Sequence, residues 1–420
     1  MNRKAPFICA ILTYLLSVGL VHGQDTTQKI TPNRSNAVQQ QDKPYIILIS
    51  ADGFRYDYTG KHNAQHLKQL AIAGVEAQAL IPSFPSITFP NHYTIVTGMY
   101  PSHHGLVGNT IYDPKNNSRY NMGNAKAVTD PIWYGGIPIW TLAEQQQLLS
   151  ASFYWPGSEA AIGGMLPSYY YAYNEKIPIA ERIQTVVNWL SLPAEKRPHI
   201  INFYFPEVDH AGHHFGPDAV ETEKAVHFVD SAVNALNNAV AKTGLPVNFI
   251  FVSDHGMKAI NREEPLRLPI KIDTAELAAA ANGTLINLHV KNKKNIKTVY
   301  DSIYREAKNF DVYLKSKMPK KYHYGLKDDR YNRIGDIVLV AKAPYYFSNN
   351  KPNPGAHGYD PYEIPEMKAT FIAWGPAFKQ NISLPAFENI HIYPLLAKIL
   401  GLHYEHKIDG RERVLKEILK

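Results

Sequence analysis

Three short, nearly continuous apolar runs punctuate an otherwise mixed chain, and each ends close to an acid. Residues 45–49 are apolar throughout and stop at Ser50, Ala51, Asp52 and Gly53. Residues 200–205 lead to Asp209, and residues 247–252 lead to Ser253, Asp254, His255 and Gly256. Runs of this length bounded by turn residues predict strands buried on both faces, the habit of a parallel sheet. Helical stretches lie between them. The clearest is 219–242, with Val226, Val229, Val233, Leu236 and Val240 along one stripe, Asp218 and Glu221 in capping-box spacing, and Gly244 beyond its end. Strands alternating with helices predict an α/β fold, a doubly wound, mostly parallel sheet with helices on both faces. Its sites should lie beyond the strand carboxyl ends.

The ends of the pattern are different. Arg3 and Lys4 precede an apolar segment at 6–21 and then His22, Gly23 and Gln24, which is the order of a secretory signal peptide with cleavage near Gly23. The segment is short for a membrane span, so none is expected after cleavage. Residues 24–43 are polar and aperiodic and predict a flexible lead-in. The remainder, 44–420, reads as one catalytic domain, with loops and short strands at 319–353 belonging to an insert around 260–350.

With 45% hydrophobic and 19% charged residues, the 420-residue chain is of globular rather than disordered or fibrous type. The only cysteine, Cys9, lies inside the leader, so a mature chain would have no disulfide and must rely on its core and on bound metal. That suits a secreted or periplasmic setting. The formal charge of +7 falls to +5 once Arg3 and Lys4 are removed, a mild excess that a solvated surface explains as readily as an anionic substrate.

The chemistry-bearing residues gather at the strand ends. Asp209 and His213 can converge on one metal if the segment turns at Gly212, although D-x-x-x-H alone suits a surface loop better. Asp254 and His255 follow a strand directly and need a bend, expected at Gly256, to serve together. His357 stands alone between small residues. Taken with Asp52, these make three carboxylates and three imidazoles, the number and type that two zinc ions need while each keeps a position open. Thr88 precedes an expected helix over 89–97 with Pro90 in its first turn. Dipole and metal would help its hydroxyl act as a nucleophile, the plain alternative being a helix cap.

Seven spaced motifs occur in one order: SADGFR at 50–55, TFPNHYTIVTG at 88–98, PSHHG at 101–105, WPG at 155–157, DHAGH at 209–213, SDHGM at 253–257 and HG at 357–358. In these the chain, from Ile47 to about Leu400, resembles the nucleotide pyrophosphatase/phosphodiesterase family of the alkaline phosphatase superfamily. The resemblance implies an alkaline-phosphatase-like fold with loop and small-strand inserts and two zinc ions per chain. It assigns Asp209, His213 and His357 to one zinc and Asp52, Asp254 and His255 to the other, with Thr88 beside the latter. It further implies that Asn109 donates to a phosphate oxygen, that Phe89 and Tyr173 stack on a nucleobase, and that Trp155 and Tyr204 lie nearby. His92, His103, His104 and His210 are expected to support the site without binding metal.

The implied activity is hydrolysis of phosphodiester or pyrophosphate bonds in small nucleotides, with no stable nucleic-acid complex. Rival readings are a glycerophosphodiesterase, a phosphomonoesterase or a phosphonate hydrolase of the same superfamily. A sulfatase is disfavoured, because no C/S-x-P-x-R motif is present. A non-catalytic, metal-stabilised binding protein is disfavoured too, since a structural zinc site would be closed and need no adjacent hydroxyl.

Overall fold

The computed structural model describes residues 25–270 and 272–420, so the leader expected at 1–23 lies outside the described residues. At its centre is the strand Tyr45–Ala51, buried along its whole length. It pairs in parallel with Ile200–Phe205 on one side and Val247–Val252 on the other. Six further strands extend this into a nine-stranded sheet. Beyond Ile200–Phe205 come Ser150–Phe153, Tyr169–Tyr170 and Lys29–Ile30; beyond Val247–Val252 come Phe371–Trp374, Val75–Ala77 and Ile382–Leu384. The pairings with Lys29–Ile30 and with Phe371–Trp374 are antiparallel and the others parallel, giving the mostly parallel, doubly wound α/β arrangement that the alternating pattern predicts.

Successive side chains of a strand point to opposite faces, and here each face has its own core. Ile46 and Leu48 pack with Ile95 and Val96 of the helix Thr88–Thr97 and with Leu395 and Leu396 of the helix Ile392–Leu400. Tyr45, Ile47, Ile49 and Ala51 pack on the other face with Val226, Val229, Val233, Leu236 and Val240. All five belong to the helix Val220–Ala241. Burying large aliphatic side chains contributes roughly 1.5 to 3 kcal/mol each, so two-sided burial explains why apolar residues run without interruption in these strands.

Three local expectations are corrected. The helix at 220–241 has Ala219 at its N-cap with no side-chain cap, and Asp218 pairs with Lys61 instead of forming the capping box. Residues 25–43 are tied down. Lys29–Ile30 pairs with Tyr169–Tyr170, and the buried Asn36 side chain donates to the carbonyls of Ala194 and Arg197 and accepts the Leu149 N–H at 2.7 Å. Gly256 has no left-handed φ. What it provides is room, because a Cβ there would lie 2.1 Å from the Glu366 carbonyl oxygen and 2.8 Å from that of Lys368.

A backbone clash of that kind cannot relax by rotating a side chain. Gly256→Ala is therefore expected to lower the unfolding free energy by about 1 to 3 kcal/mol, the usual cost of overpacking. A denaturant midpoint unchanged from the native protein would show that the chain yields there freely.

A second, antiparallel sheet of four strands lies within 277–341, in the order Leu277–Ala281, Leu285–Val290, Ile337–Ala341, Phe310–Leu314. The helix Ile296–Glu306 connects into its last strand, and Leu288, Ile303, Val312 and Leu339 share a separate core.

Candidate active site and metal centre

The three parallel strands deliver their acids to one end of the sheet. Asp52 follows Tyr45–Ala51 directly and Asp254 lies two residues beyond Val247–Val252. Asp209 and His213 sit on the helix Glu207–Phe215, which starts just after Ile200–Phe205. The turn expected at Gly212 is thus a helix, and spacing of four residues already places both side chains on one face. The close approach belongs to Gly355: a Cβ there would lie 2.1 Å from the Gly212 carbonyl oxygen, whereas one on Gly212 would meet the Met257 side chain at 3.0 Å. That approach brings the Gly355 carbonyl to 2.8 Å from Nδ1 of His213.

All six ligand-type residues meet in one cluster. Nε2 of His255 is 3.5 Å from Asp52 Oδ1 and 3.0 Å from Asp254 Oδ2. Asp209 Oδ1 lies 3.4 Å from His213 Nε2 and 3.7 Å from His357 Nε2. Two compact groups with metal-ligand spacing stand out, Asp52–Asp254–His255 and Asp209–His255–His357. The second contains His255 where the family resemblance places His213, because the His255 ring stacks on that of His357 with centroids 3.5 Å apart. His213 joins through its Nε2, 3.1 Å from Nε2 of His357.

The hydrogen bonds around the cluster show which atoms are left for a cation. Nδ1 of His213, His255 and His357 faces the carbonyls of Gly355, Gly256 and Ser86 at 2.8, 2.9 and 3.0 Å, so each Nδ1 carries the proton and each Nε2 keeps its lone pair. Asp52 Oδ2 accepts the Tyr204 hydroxyl at 2.6 Å, and Asp254 Oδ1 accepts the Gly53 N–H at 3.3 Å. The opposite oxygens, Asp52 Oδ1 and Asp254 Oδ2, are buried with no hydrogen-bond partner, as is Asp209 Oδ1. One orphaned oxygen per carboxylate, each within 4 Å of an imidazole lone pair, is the donor set of a metal centre. The carbonyls and the Tyr204 hydroxyl that hold the opposite atoms fix the orientation of these side chains.

The electrostatics agree. Burial pushes the Asp52 carboxyl well above the usual carboxylate range, and Asp254 and Asp209 add repulsion. Burial likewise drives the His357 imidazole well below its ordinary value, reinforced by His255 and His213. Burial opposes the charge on Asp254 too, but His255 and His92 outweigh it and hold that carboxyl low. A cation among these groups would offset the repulsion between the carboxylates, and an imidazole held neutral, as at His357, has a lone pair to offer it.

Thr88 is the first residue of the helix Thr88–Thr97, one residue earlier than the pattern predicts, and Ile87 is the N-cap. The Thr88 hydroxyl lies 3.2 Å from His255 Nε2. Asn109 accepts the Phe89 N–H through Oδ1 at 3.0 Å, which pins its amide against the first turn of this helix. Asp52, Thr88 and Asp209 open onto a cavity of about 570 Å³ whose walls include Phe89, Trp155, Tyr173 and Tyr204. Met122, Tyr154, Glu159, Glu175 and His210 also line it, and no sequence motif singled out the two glutamates. His103 and His104 lie apart from the cluster, bonded to Asp409 and Thr94.

A profile of the type I phosphodiesterase / nucleotide pyrophosphatase family matches residues 46–360. The chain belongs to that family. An uncharacterized pyrophosphatase/phosphodiesterase of Schizosaccharomyces pombe is 35% identical over 374 residues, 85% of this chain and 77% of its own length. Mouse ectonucleotide pyrophosphatase/phosphodiesterase family member 1 is 34% identical over 381 residues, 86% of this chain and 41% of its own. A venom phosphodiesterase of Macrovipera lebetinus is 34% identical over 371 residues, 85% of this chain and 43% of its own. The chain thus spans about two fifths of the length of the mouse and viper relatives. Murine ectonucleotide pyrophosphatase/phosphodiesterase 5, solved as an inactive threonine-to-alanine form in complex with AMP, superposes with a TM-score of 0.83 at 28% identity, covering 90% of this chain and 100% of that one. The alkaline-phosphatase-like fold is shared with it. The phosphodiesterase family is metallo-dependent, and the clustered acids and imidazoles are the groups that could hold metal here.

Proposed function

We propose that this chain hydrolyses phosphodiester or pyrophosphate bonds of nucleotides through a covalent intermediate on Thr88, with two zinc ions per chain. Asp209, His213 and His357 would hold one zinc, and Asp52, Asp254 and His255 the other, beside Thr88. One observation carries the reading: a hydroxyl at a helix N-terminus, 3.2 Å from His255 Nε2, adjoins three orphaned carboxylate oxygens that face imidazole nitrogens. Neutral imidazole and carboxylate are customary zinc donors. When bound, such a pair of cations offsets charge on the phosphoryl group and on the entering and departing oxygens.

Thr88 Oγ1 displaces the leaving group in line at phosphorus, giving a threonine-linked phosphodiester. Water then displaces Thr88 in a second in-line step and the hydroxyl is restored, so two inversions give net retention. The free N–H groups of the Thr88–Thr97 helix favour the anionic phosphoryl group. Asn109, with its Oδ1 taken by the Phe89 N–H, has its amide N–H groups to donate to a phosphate oxygen. The AMP complex of the murine neighbour supports a nucleotide, and its inactivation by loss of a threonine supports the role of Thr88. The leader at 1–23 and the venom and ectoenzyme relatives support secretion or export to the periplasm, and no helix among the described residues is long and apolar enough to cross a membrane. We further read 44–420 as a single catalytic domain with its insert around 260–350.

Phe89 and Tyr173 line the cavity that holds Thr88, and Tyr173 is 43% exposed, so its face is open to a ligand. Base–aromatic stacking contributes roughly 1 to 3 kcal/mol per base, so Phe89→Ala or Tyr173→Ala should cost about tenfold to a hundredfold in kcat/KM on a nucleotide diester. The loss should fall mainly on KM, and a small nitrophenyl diester without a base should hardly respond. Equal losses on both substrates would remove the case for a nucleotide. A second reading has its own observation: Glu159 and Glu175 share the cavity with the rings of Phe89, Tyr154, Trp155, Tyr173 and Tyr204, a setting that also attracts a quaternary ammonium headgroup. A panel of the nucleotide diester, a nitrophenyl monoester and a glycerophosphodiester of choline decides. Preference for the nucleotide is expected, and preference for either alternative overturns the proposal.

A further inference from the structure

We propose that His92 is a positioning residue that locks the nucleophile's end of the Thr88–Thr97 helix to the Asp254 side of the metal centre; this rests on the reading of Thr88 given above. His92 lies one helical turn after Thr88 and is completely buried. Its Nδ1 is 3.0 Å from the Thr88 carbonyl oxygen and 3.3 Å from Asp254 Oδ2, the orphaned, cluster-facing oxygen. A carbonyl can only accept, so Nδ1 carries the proton. Nε2 is 2.8 Å from the hydroxyl of Ser50, which donates to it two residues before Asp52. Both ring nitrogens are therefore committed: the Thr88 carbonyl sets the tautomer, and the strand that delivers Asp52 supplies the hydroxyl that fixes Nε2.

The surroundings of His92 extend the lock. Its peptide oxygen accepts the Trp155 indole N–H at 3.0 Å. Its ring meets those of Trp155 and Tyr204 edge to face, with centroids 5.2 and 5.3 Å away. Tyr204 donates to Asp52 Oδ2 at 2.6 Å, so its hydroxyl is already engaged and only its ring is left for the cavity. One imidazole thus touches the nucleophile's own backbone and one carboxylate, and packs on the ring that orients the other. Such outer partners typically change metal affinity or activity by 10- to 100-fold, and a small misplacement of a nucleophile has a comparable effect on rate.

The test uses the zinc-loaded protein and three substitutions. His92→Asn keeps an N–H near the Nδ1 position, His92→Gln moves it toward Nε2, and His92→Leu removes it. Zinc affinity is measured by competition with a chromophoric chelator, and kcat and KM on a nitrophenyl diester. The Leu and Gln variants should each lose about 10- to 100-fold in zinc affinity and in kcat. KM should stay within about threefold, and Asn should recover most of both losses. A ring that merely fills the core would make Asn and Gln equally poor, and that result overturns the proposal, as would native affinity and kcat in the Leu variant. If the Leu or Gln variant fails to fold, Ser50→Ala decides. Freeing Nε2 should cost about three- to tenfold in zinc affinity, the worth of one hydrogen bond, and no change overturns the proposal. A native protein with no diesterase activity would refute the reading of Thr88 by itself, and the zinc measurements would still decide the His92–Asp254 contact.

Discussion

Thr88→Ala is expected to leave the fold and the metal content intact and to lower turnover by roughly four to six orders of magnitude, the range seen when a nucleophile or its activating partners are removed. The size of the loss follows from where the hydroxyl sits. Ile87, not Thr88, is the N-cap of the helix, and no side chain caps it, so the Thr88 hydroxyl does not hold the helix end. Its recorded side-chain partner is His255 Nε2, an atom whose lone pair faces the cluster of carboxylates. Deleting Oγ1 therefore removes the reacting atom without stranding a buried donor, and stability should change little. Thr88→Ser keeps the hydroxyl and should retain a measurable fraction of activity. Single-turnover kinetics, circular dichroism and elemental analysis on the three proteins make the comparison. Near-native turnover in the alanine variant would reduce Thr88 to the first residue of a helix.

How much of this was legible beforehand depended on how local the determining physics is. The strands Tyr45–Ala51, Ile200–Phe205 and Val247–Val252 are buried on both faces, and two-sided burial writes itself into the sequence as an unbroken apolar run. The acids at their ends followed from the same pattern. In the motif Asp209 to His213 a glycine within five residues signals a bend, whereas here the segment is helical and Gly212 lies against the Met257 side chain. The capping box failed because Asp218 found Lys61, a partner 157 residues away. Residues 25–43 have no periodicity of their own, and their order comes from pairing with Tyr169–Tyr170 and from Asn36 reaching 158 and 161 residues along the chain. The partners of the metal-facing groups were hidden for the same reason. Nothing near Tyr204 in sequence says that its hydroxyl will meet Asp52, and Glu159 and Glu175 belong to no motif. His92 carried a faint local signal, since four residues after Thr88 is the position whose side chain can turn back on the first helical turn.

Stripping the metal should abolish activity and cost stability together, and the two effects have one origin. Asp52, Asp254 and Asp209 are nearly or fully buried, and each has one oxygen without a hydrogen-bond partner. Without a cation, burial and mutual repulsion force the Asp52 carboxyl toward its protonated form, while the imidazoles of His213 and His357 face each other across 3.1 Å. Zinc binding to the native state but not to the unfolded chain should raise the unfolding free energy by about 2.7 kcal/mol when free zinc is a hundred times its dissociation constant. The melting temperature should therefore climb with zinc and fall on dialysis against a chelator. Charge neutralisation at the phosphoryl group is worth several kcal/mol, so the metal-free protein should lose at least about a thousandfold in rate. His213→Ala tests the assignment, because the proposal gives His213 only to the zinc with Asp209 and His357. Elemental analysis should find about two zinc ions in the native protein and fewer in the variant, with Asp52, Asp254 and His255 still able to hold theirs. Full activity in excess chelator, with no transition metal detected, would leave the orphaned oxygens without an explanation and end the two-zinc reading.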